Sequence, residues 1–208
     1  MMNTYPDFAV KLQAILANMA KEGIYNAARG MSAMVGETLT VTEPNVRLVP
    51  FTDIPALLGG PENEAVGIYL RVEGKIPGQI MLVIPYLKAL ELADLVMGES
   101  PGTTQELGTM ERSALAELGN LTASFFLNAV ADSTGLNARP SPPAVMVDMV
   151  GAIMDIIIAT TDILTEQVLM IQAKFLRNGR ETQADFWIIP DVQTLEIIAK
   201  EVGRKNAG

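Results

Sequence analysis

The chain contains neither cysteine nor histidine. That excludes disulfide frameworks, zinc sites built on those ligands, and nucleophilic or general-base catalysis by either side chain. Basic residues are also scarce, 15 Lys and Arg against 24 Asp and Glu, for a net charge of −9. No segment could lay down a basic stripe, so nucleic-acid binding is not expected, and an acidic surface suits anionic membranes poorly. A Gly-rich phosphate loop and a nucleophile–base pair are both missing. The most apolar stretch, Met146 to Thr160, is interrupted by Asp148 and Asp155 and is too short to span a bilayer. The N-terminal MMNTYPDFAV has no positive region followed by an apolar run, so no signal peptide is expected and the cytoplasm is the default compartment. Chemistry is left to carboxylates, amides, hydroxyls or an oxygen-bound metal.

A 49% hydrophobic content supplies ample core for one large domain or two closely packed halves. Met is frequent, with 12 copies, which suits core filling or an adaptable partner surface. The chain also repeats itself. Ser113, Glu117, Asn120 and Pro143 have counterparts 99 positions earlier in Ala14, Asn18, Lys21 and Pro44. The frame is present twice, and the Glu–Asn pair survives once.

The repeat extends to secondary structure. Asp7 to Val35 reads as a long helix, with Pro6 in its first turn and Gly36 at its end. Thr104 to Thr134 reads as its counterpart, with Thr103-x-x-Glu106 as a capping box and Gly135 as the stop. Each helix precedes a Pro-led segment, PNVRLVP from Pro44 and PAVMVDM from Pro143. Short helices are expected at Thr52–Leu58 and Asp148–Thr160. Strands are expected at Ala65–Val72 and Gln79–Ile84, and again at Gln167–Phe175 and Ala184–Ile189. The second pair flanks Asn178-Gly179, a hairpin signal. A loop is expected at Gly59–Asn63 and a frayed tail at Arg204–Gly208. Each half closes with a helix after an Ile-Pro step, at Pro85 and Pro190, now 105 apart. The six extra residues are most simply placed in a longer second hairpin. The fold expected is α/β, a pseudo-two-fold duplication with halves near 1–99 and 100–208. They would share an antiparallel or mixed sheet of about six strands, with two long surface helices.

Stepping about 100° per residue along the second long helix puts Ser113, Glu117, Asn120 and Ser124 on one strip about 60° wide. Leu115, Leu118, Thr122, Phe125, Phe126 and Ala129 lie opposite. The spacing alone is equally that of an ordinary solvated helix face, although Asn is a poor helix former.

The frame of Asp or Ser, then Glu four later, Asn three further and Pro twenty-three beyond resembles the CheC/CheX/FliY family of chemotaxis phosphatases. The resemblance covers nearly the whole chain, including the Asn26-Ala27-Ala28 run in the first half, and the two-half layout looks most like CheC. It implies dephosphorylation of a phosphorylated CheY-like response regulator. Glu117 would bridge to a lysine of the regulator, and Asn120 would position water on the aspartyl phosphate. Ser113 and Pro143 would frame the site. No cofactor or metal of its own is implied; Mg²⁺ would sit in the regulator. Ala14, Asn18, Lys21 and Pro44 form a degenerate first site, where Lys21 would repel the regulator's lysine. The family also binds the deamidase CheD, for which Ile153, Ile156 and Ile157 are candidate contacts; core packing explains the same residues. The alternative function is a non-catalytic adaptor for a phosphorylated regulator, CheD or the flagellar switch, because the middle domain of FliM resembles this scaffold without the phosphatase residues. A small-molecule enzyme has little support.

Overall fold

A computed structural model describes residues 5–42, 44–160, 167–190, 197–198 and 200–201. The first half runs α1 (Tyr5–Val35), β1 (Thr40–Val41), β2 (Asn45–Pro50), a 3₁₀ turn (Phe51–Asp53), α2 (Ile54–Leu57), β3 (Glu64–Gly74), β4 (Gly78–Pro85) and α3 (Tyr86–Met97). The second runs α4 (Thr109–Thr134), β5 (Ala138–Pro140), β6 (Ala144–Met149), α5 (Val150–Thr160), β7 (Gln167–Arg177) and β8 (Arg180–Pro190). The expected final helix falls largely outside the described residues, with 197–198 and 200–201 helical. The expected tail lies outside them altogether.

Both long helices stop where the sequence expects. Gly36 and Gly135 take φ of 74° and 77°, the left-handed conformation that ends a helix without a Cβ clash. Asn178 and Gly179, at φ 50° and 79°, form the two-residue turn that joins β7 to β8. Gly59 and Gly60 lie in the expected loop after α2.

The strands form one antiparallel sheet, six positions wide. Its path is β1–β7–β8–β4–β3–β5, with β2 also on β7 and β6 also on β3. Each outer position is thus shared by two short strands. The halves exchange these edges: β2 pairs with β7 of the second half, and β6 with β3 of the first. The register carries the repeat. Val46 opposes Ile171, and its counterpart Val145 opposes Ile68.

The register also corrects the placement of the six extra residues. β2 and β6 are 99 apart, β3 and β7 begin 103 apart (64 and 167), and β4 and β8 end 105 apart (85 and 190). Four of the six therefore precede β7, around α5, and only two lie in the hairpin. The two-residue turn leaves little room for insertion there.

β4 shows why the central strands read as continuous apolar runs. Ile80, Leu82 and Ile84 join the core under the long helices, while Met81 and Val83 join a second core under α2 and α5. A strand covered on both faces needs apolar residues at both parities. α4 has the length and composition of a membrane span, but half of that window is buried inside the fold.

The expected capping box is absent. α4 starts at Thr109 after Gly108, with no side-chain cap. The Thr103 hydroxyl instead donates to the Ser100 carbonyl at 2.8 Å. The buried Asp94 carboxylate accepts from the backbone N–H groups of Gly102 (2.7 Å) and Thr104 (2.8 Å). A carboxylate inside the fold must be satisfied, and Asp94 holds Gly102 and Thr104 in the non-helical stretch ahead of α4.

Candidate functional site on the second long helix

α4 is held by unusually close packing. A Cβ on Gly119 would lie 2.7 Å from Cγ2 of Ile68, so the helix backbone rests directly on β3. A Cβ on Gly23 would lie 2.7 Å from the Phe126 Cα, and one on Gly30 would lie 2.7 Å from the Phe125 ring. α1 and α4 therefore cross almost backbone to backbone. α3 packs on α4 as well.

This support has three sides, and it narrows the polar strip that helix periodicity alone expects. Ala123 and Leu127 are buried beside it. Ser113 and Glu117 remain exposed, whereas Asn120 and Ser124 are half-buried. Ser113, Glu117 and Asn120 share one face within about 11 Å along the axis, at 1.5 Å per residue. Among the described residues, no hydrogen bond or ion pair occupies the side chains of Glu117 and Asn120. An acceptor-only carboxylate and an amide with both donors and an acceptor are thus offered outward from a rigid rod.

Pro143 immediately precedes β6 and is half-buried. The loop before it is tied to β3: Ser141 N–H donates to the Arg71 carbonyl at 2.8 Å, and the Ser141 hydroxyl accepts from Arg71 N–H at 3.0 Å. Two residues beyond Pro143, Val145 opposes Ile68, the residue that Gly119 rests on. The fold thus sets Pro143 at the sheet edge, next to the stretch of β3 on which Gly119 rests.

The first-half counterparts occupy a matching surface. Ala14 and Asn18 are exposed and Lys21 is half-buried, the same order as Ser113, Glu117 and Asn120; Pro44, just before β2, is buried. The frame is retained with no carboxylate at the second position and an ammonium at the third.

The candidate contacts on α5 divide. Ile153 and Ile157 are buried in the second core, and Ile153 packs on Gly67 of β3, where an added Cβ would meet it at 3.1 Å. These two are core residues, four apart on the inward face. Ile156 is exposed, as is Ile158 at the end of the same apolar segment. Among the described residues, no group of three or more acidic side chains converges to hold a metal.

An ion pair away from this face joins the halves. Arg177 Nε donates to Glu37 Oε2 at 2.7 Å, and the same guanidinium reaches the carbonyls of Leu95 (3.3 Å) and Gly98 (3.1 Å) at the end of α3. The Arg177 hydrogen bond holds the Glu37 carboxyl below its ordinary pKa; partial desolvation opposes this, and a hydrogen bond from Asn178 adds to it.

Comparison with known proteins agrees with this geometry. The CheC-like family matches residues 110–147, the segment containing Ser113, Glu117, Asn120 and Pro143. The CheY-P phosphatase CheC of Bacillus subtilis (strain 168) is 26% identical over 193 residues, covering 91% of this chain and 92% of that protein. The fold matches FliY of Thermotoga maritima at a TM-score of 0.73 and 18% identity, over 99% of this chain and 100% of that one. It also matches the FliM middle domain of H. pylori at 0.65 and 10% identity, over 92% and 98%. The motif segment and the whole-chain similarity both resemble CheC-like proteins, and the fold is the one shared by FliY and the FliM middle domain.

Proposed function

We propose that this chain is a phosphatase for a phosphorylated CheY-like response regulator, acting through one Glu–Asn site on α4. The observation that carries the reading is the pair Glu117 and Asn120 on one face of a tightly seated helix, without a hydrogen-bond partner among the described residues, set against Asn18 and Lys21 on the matching face of α1. A relative that covers 91% of the chain, CheC of Bacillus subtilis, is a CheY-P phosphatase.

The chemistry asks little of the enzyme beyond placement. An aspartyl phosphate is a reactive acyl phosphate, and phosphoryl transfer gains chiefly from positioning and electrostatics. The Asn120 amide orients a water in line with the phosphorus. It accepts a hydrogen bond from that water through its carbonyl oxygen without itself titrating. The Glu117 carboxylate pairs with a regulator lysine and fixes the helix over the acidic pocket. Mg²⁺ belongs to that pocket. Ser113 and Pro143 shape the surroundings. Lys21 would put a cation against the regulator's lysine, so the first face is inactive. The site works where the regulator is, in the cytoplasm. A deamidase such as CheD would meet α5 through Ile156.

A second reading has its own support. The FliM middle domain shares the fold at 10% identity, so the scaffold also suits a non-catalytic adaptor of a regulator or the flagellar switch. Decay of ³²P-labelled regulator separates the two. Acceleration by the wild-type protein and not by Asn120→Ala supports the phosphatase. Binding without acceleration supports the adaptor.

A further inference from the structure

Three large apolar side chains stand in solvent at one end of the α4 face. Leu87 is 72% exposed, Met110 69% and Met149 51%. Single exposed hydrophobes are ordinary on protein surfaces. The topology places these three toward the same end of the sheet.

α4 leads through Gly135 into β5, which pairs with Val72–Gly74 at the C-terminal end of β3. Its middle, Gly119, rests on Ile68. The N-terminal turn of α4 therefore points toward the other end of β3, at Glu64. Met110 lies in that turn, three residues before Ser113 and seven before Glu117, spacings that keep it on the same helix face. The turn is braced: Arg112 N–H donates to the Gly108 carbonyl at 3.1 Å, and Arg112 Nε to the Leu107 carbonyl at 2.9 Å. At that same end Met149 opposes Glu64. It shares the parity of Val145 and Val147, which face the core under the long helices. Leu87 follows two residues after Pro85, which opposes Ala65.

We propose that Met110, Leu87 and Met149 form an apolar anchoring surface for the same phosphorylated regulator that meets Glu117 and Asn120; this rests on the function proposed above. The size of a protein interface selects that occupant. Met110 lies about 15 Å along the helix from Asn120 at 1.5 Å per residue. A standard interface covers about 800 Å² on each partner, a patch of roughly 16 Å radius. A globular regulator seated with its phosphate over Asn120 therefore covers Met110 as well. Binding energy concentrates in a few well-buried anchors, and a Met side chain can adapt to the groove it enters. The polar pair supplies chemistry and orientation, and this end supplies affinity without touching the phosphate.

The test separates affinity from chemistry. The regulator is activated with beryllofluoride for binding titrations and with ³²P for turnover, using the full chain and its Met110→Ala and Leu87→Ala variants. Each substitution is expected to raise the Kd and KM about fivefold to tenfold, with kcat within about twofold of wild type. Unchanged Trp187 fluorescence establishes that each variant is folded. Unchanged Kd and KM in both variants would overturn the proposal, as would a fall in kcat at constant KM. Loss of self-association with unchanged regulator affinity would assign the patch to a second copy of the chain and overturn it too. A wild-type protein that neither binds nor dephosphorylates the regulator removes the proposed function and this surface together. Hydrolysis by wild type with no effect in the variants removes the surface alone.

Discussion

The contact between Gly119 and Ile68 makes the position of Asn120 experimentally accessible one residue away. Substituting Gly119→Ala has two opposing effects. Replacing a helical Gly with Ala favours the helix by about 1 kcal/mol. The new Cβ would lie 2.7 Å from the Ile68 Cγ2, about 0.7 Å inside ordinary contact. Ile68 is fully buried on a central strand and branched at Cβ, so it has no room to rotate away. Overpacking of this kind costs about 1–3 kcal/mol. The clash wins, for a net loss of roughly 0–2 kcal/mol. Relief comes by lifting α4 off β3 by several tenths of an ångström, and Asn120 moves with it. A misplacement approaching 1 Å can cost about a hundredfold in rate, so Gly119→Ala is expected to slow dephosphorylation by about tenfold or more. Stability is read from urea titration of Trp187 fluorescence, a buried reporter, and activity from decay of phospho-regulator. Ile68→Leu removes the β-branch that clashes, so the double variant should recover activity relative to Gly119→Ala alone, a coupling visible in a double-mutant cycle. A Gly119→Ala protein more stable by about 1 kcal/mol with full activity would refute the argument that this contact sets the height of Asn120.

Further outcomes follow from the same geometry. Glu117→Ala is expected to raise the KM for phospho-regulator about tenfold or more through loss of a charge-assisted contact, with a smaller effect on kcat; steady-state kinetics over a wide regulator range would detect the reverse. Lys21→Ala should leave both constants within about twofold; loss of activity in that variant would contradict a single-site mechanism. The Arg177 hydrogen bond lowers the folded-state pKa of Glu37, so the unfolded chain binds the proton more readily. The stabilisation is present above the ordinary value of 4.5 and is lost as pH falls through the folded value. Glu37→Gln should therefore be less stable than wild type at neutral pH, with the gap closing below about pH 4.5; a gap independent of pH would show that the carboxylate charge is not responsible. Half-exposure of the Glu37 side chain, at 44%, keeps this effect small.

Much of the architecture was legible because it depends on local signals. The left-handed glycines at 36 and 135 ended both long helices, Asn178-Gly179 made the expected turn, and unbroken apolar runs marked strands covered on both faces. The spacing of 99 holds between β2 and β6, while the strands they pair with, β7 and β3, begin 103 apart. Features set by distant partners were not legible. Exchange of β2 and β6 between halves is a choice among similar edges that no local pattern records. The start of α4 was misplaced because Asp94, outside the segment, ties Gly102 and Thr104 into a non-helical stretch before it. β1 and β5 are two and three residues long, too short for a periodic signal. At the site, periodicity put Glu117 and Asn120 on one outward face. It did not foresee Asn120 half-buried, because packing by α1 and α3 lies outside a one-helix calculation. On α5, an all-round apolar composition could not tell Ile156 from Ile153 and Ile157. Met110 lay one turn ahead of the motif and reads as core in a Met-rich chain until its exposure is seen.

The most direct test of the single-site account is the decay of ³²P-labelled CheY-like regulator from the same organism, with wild type and Asn120→Ala side by side. The account predicts clear acceleration by wild type and a loss of about a hundredfold or more of that acceleration in the variant, the scale for removing a group that positions the reacting atoms. Regulator binding should be largely retained. Equal acceleration by both proteins would place the chemistry elsewhere and contradict the account.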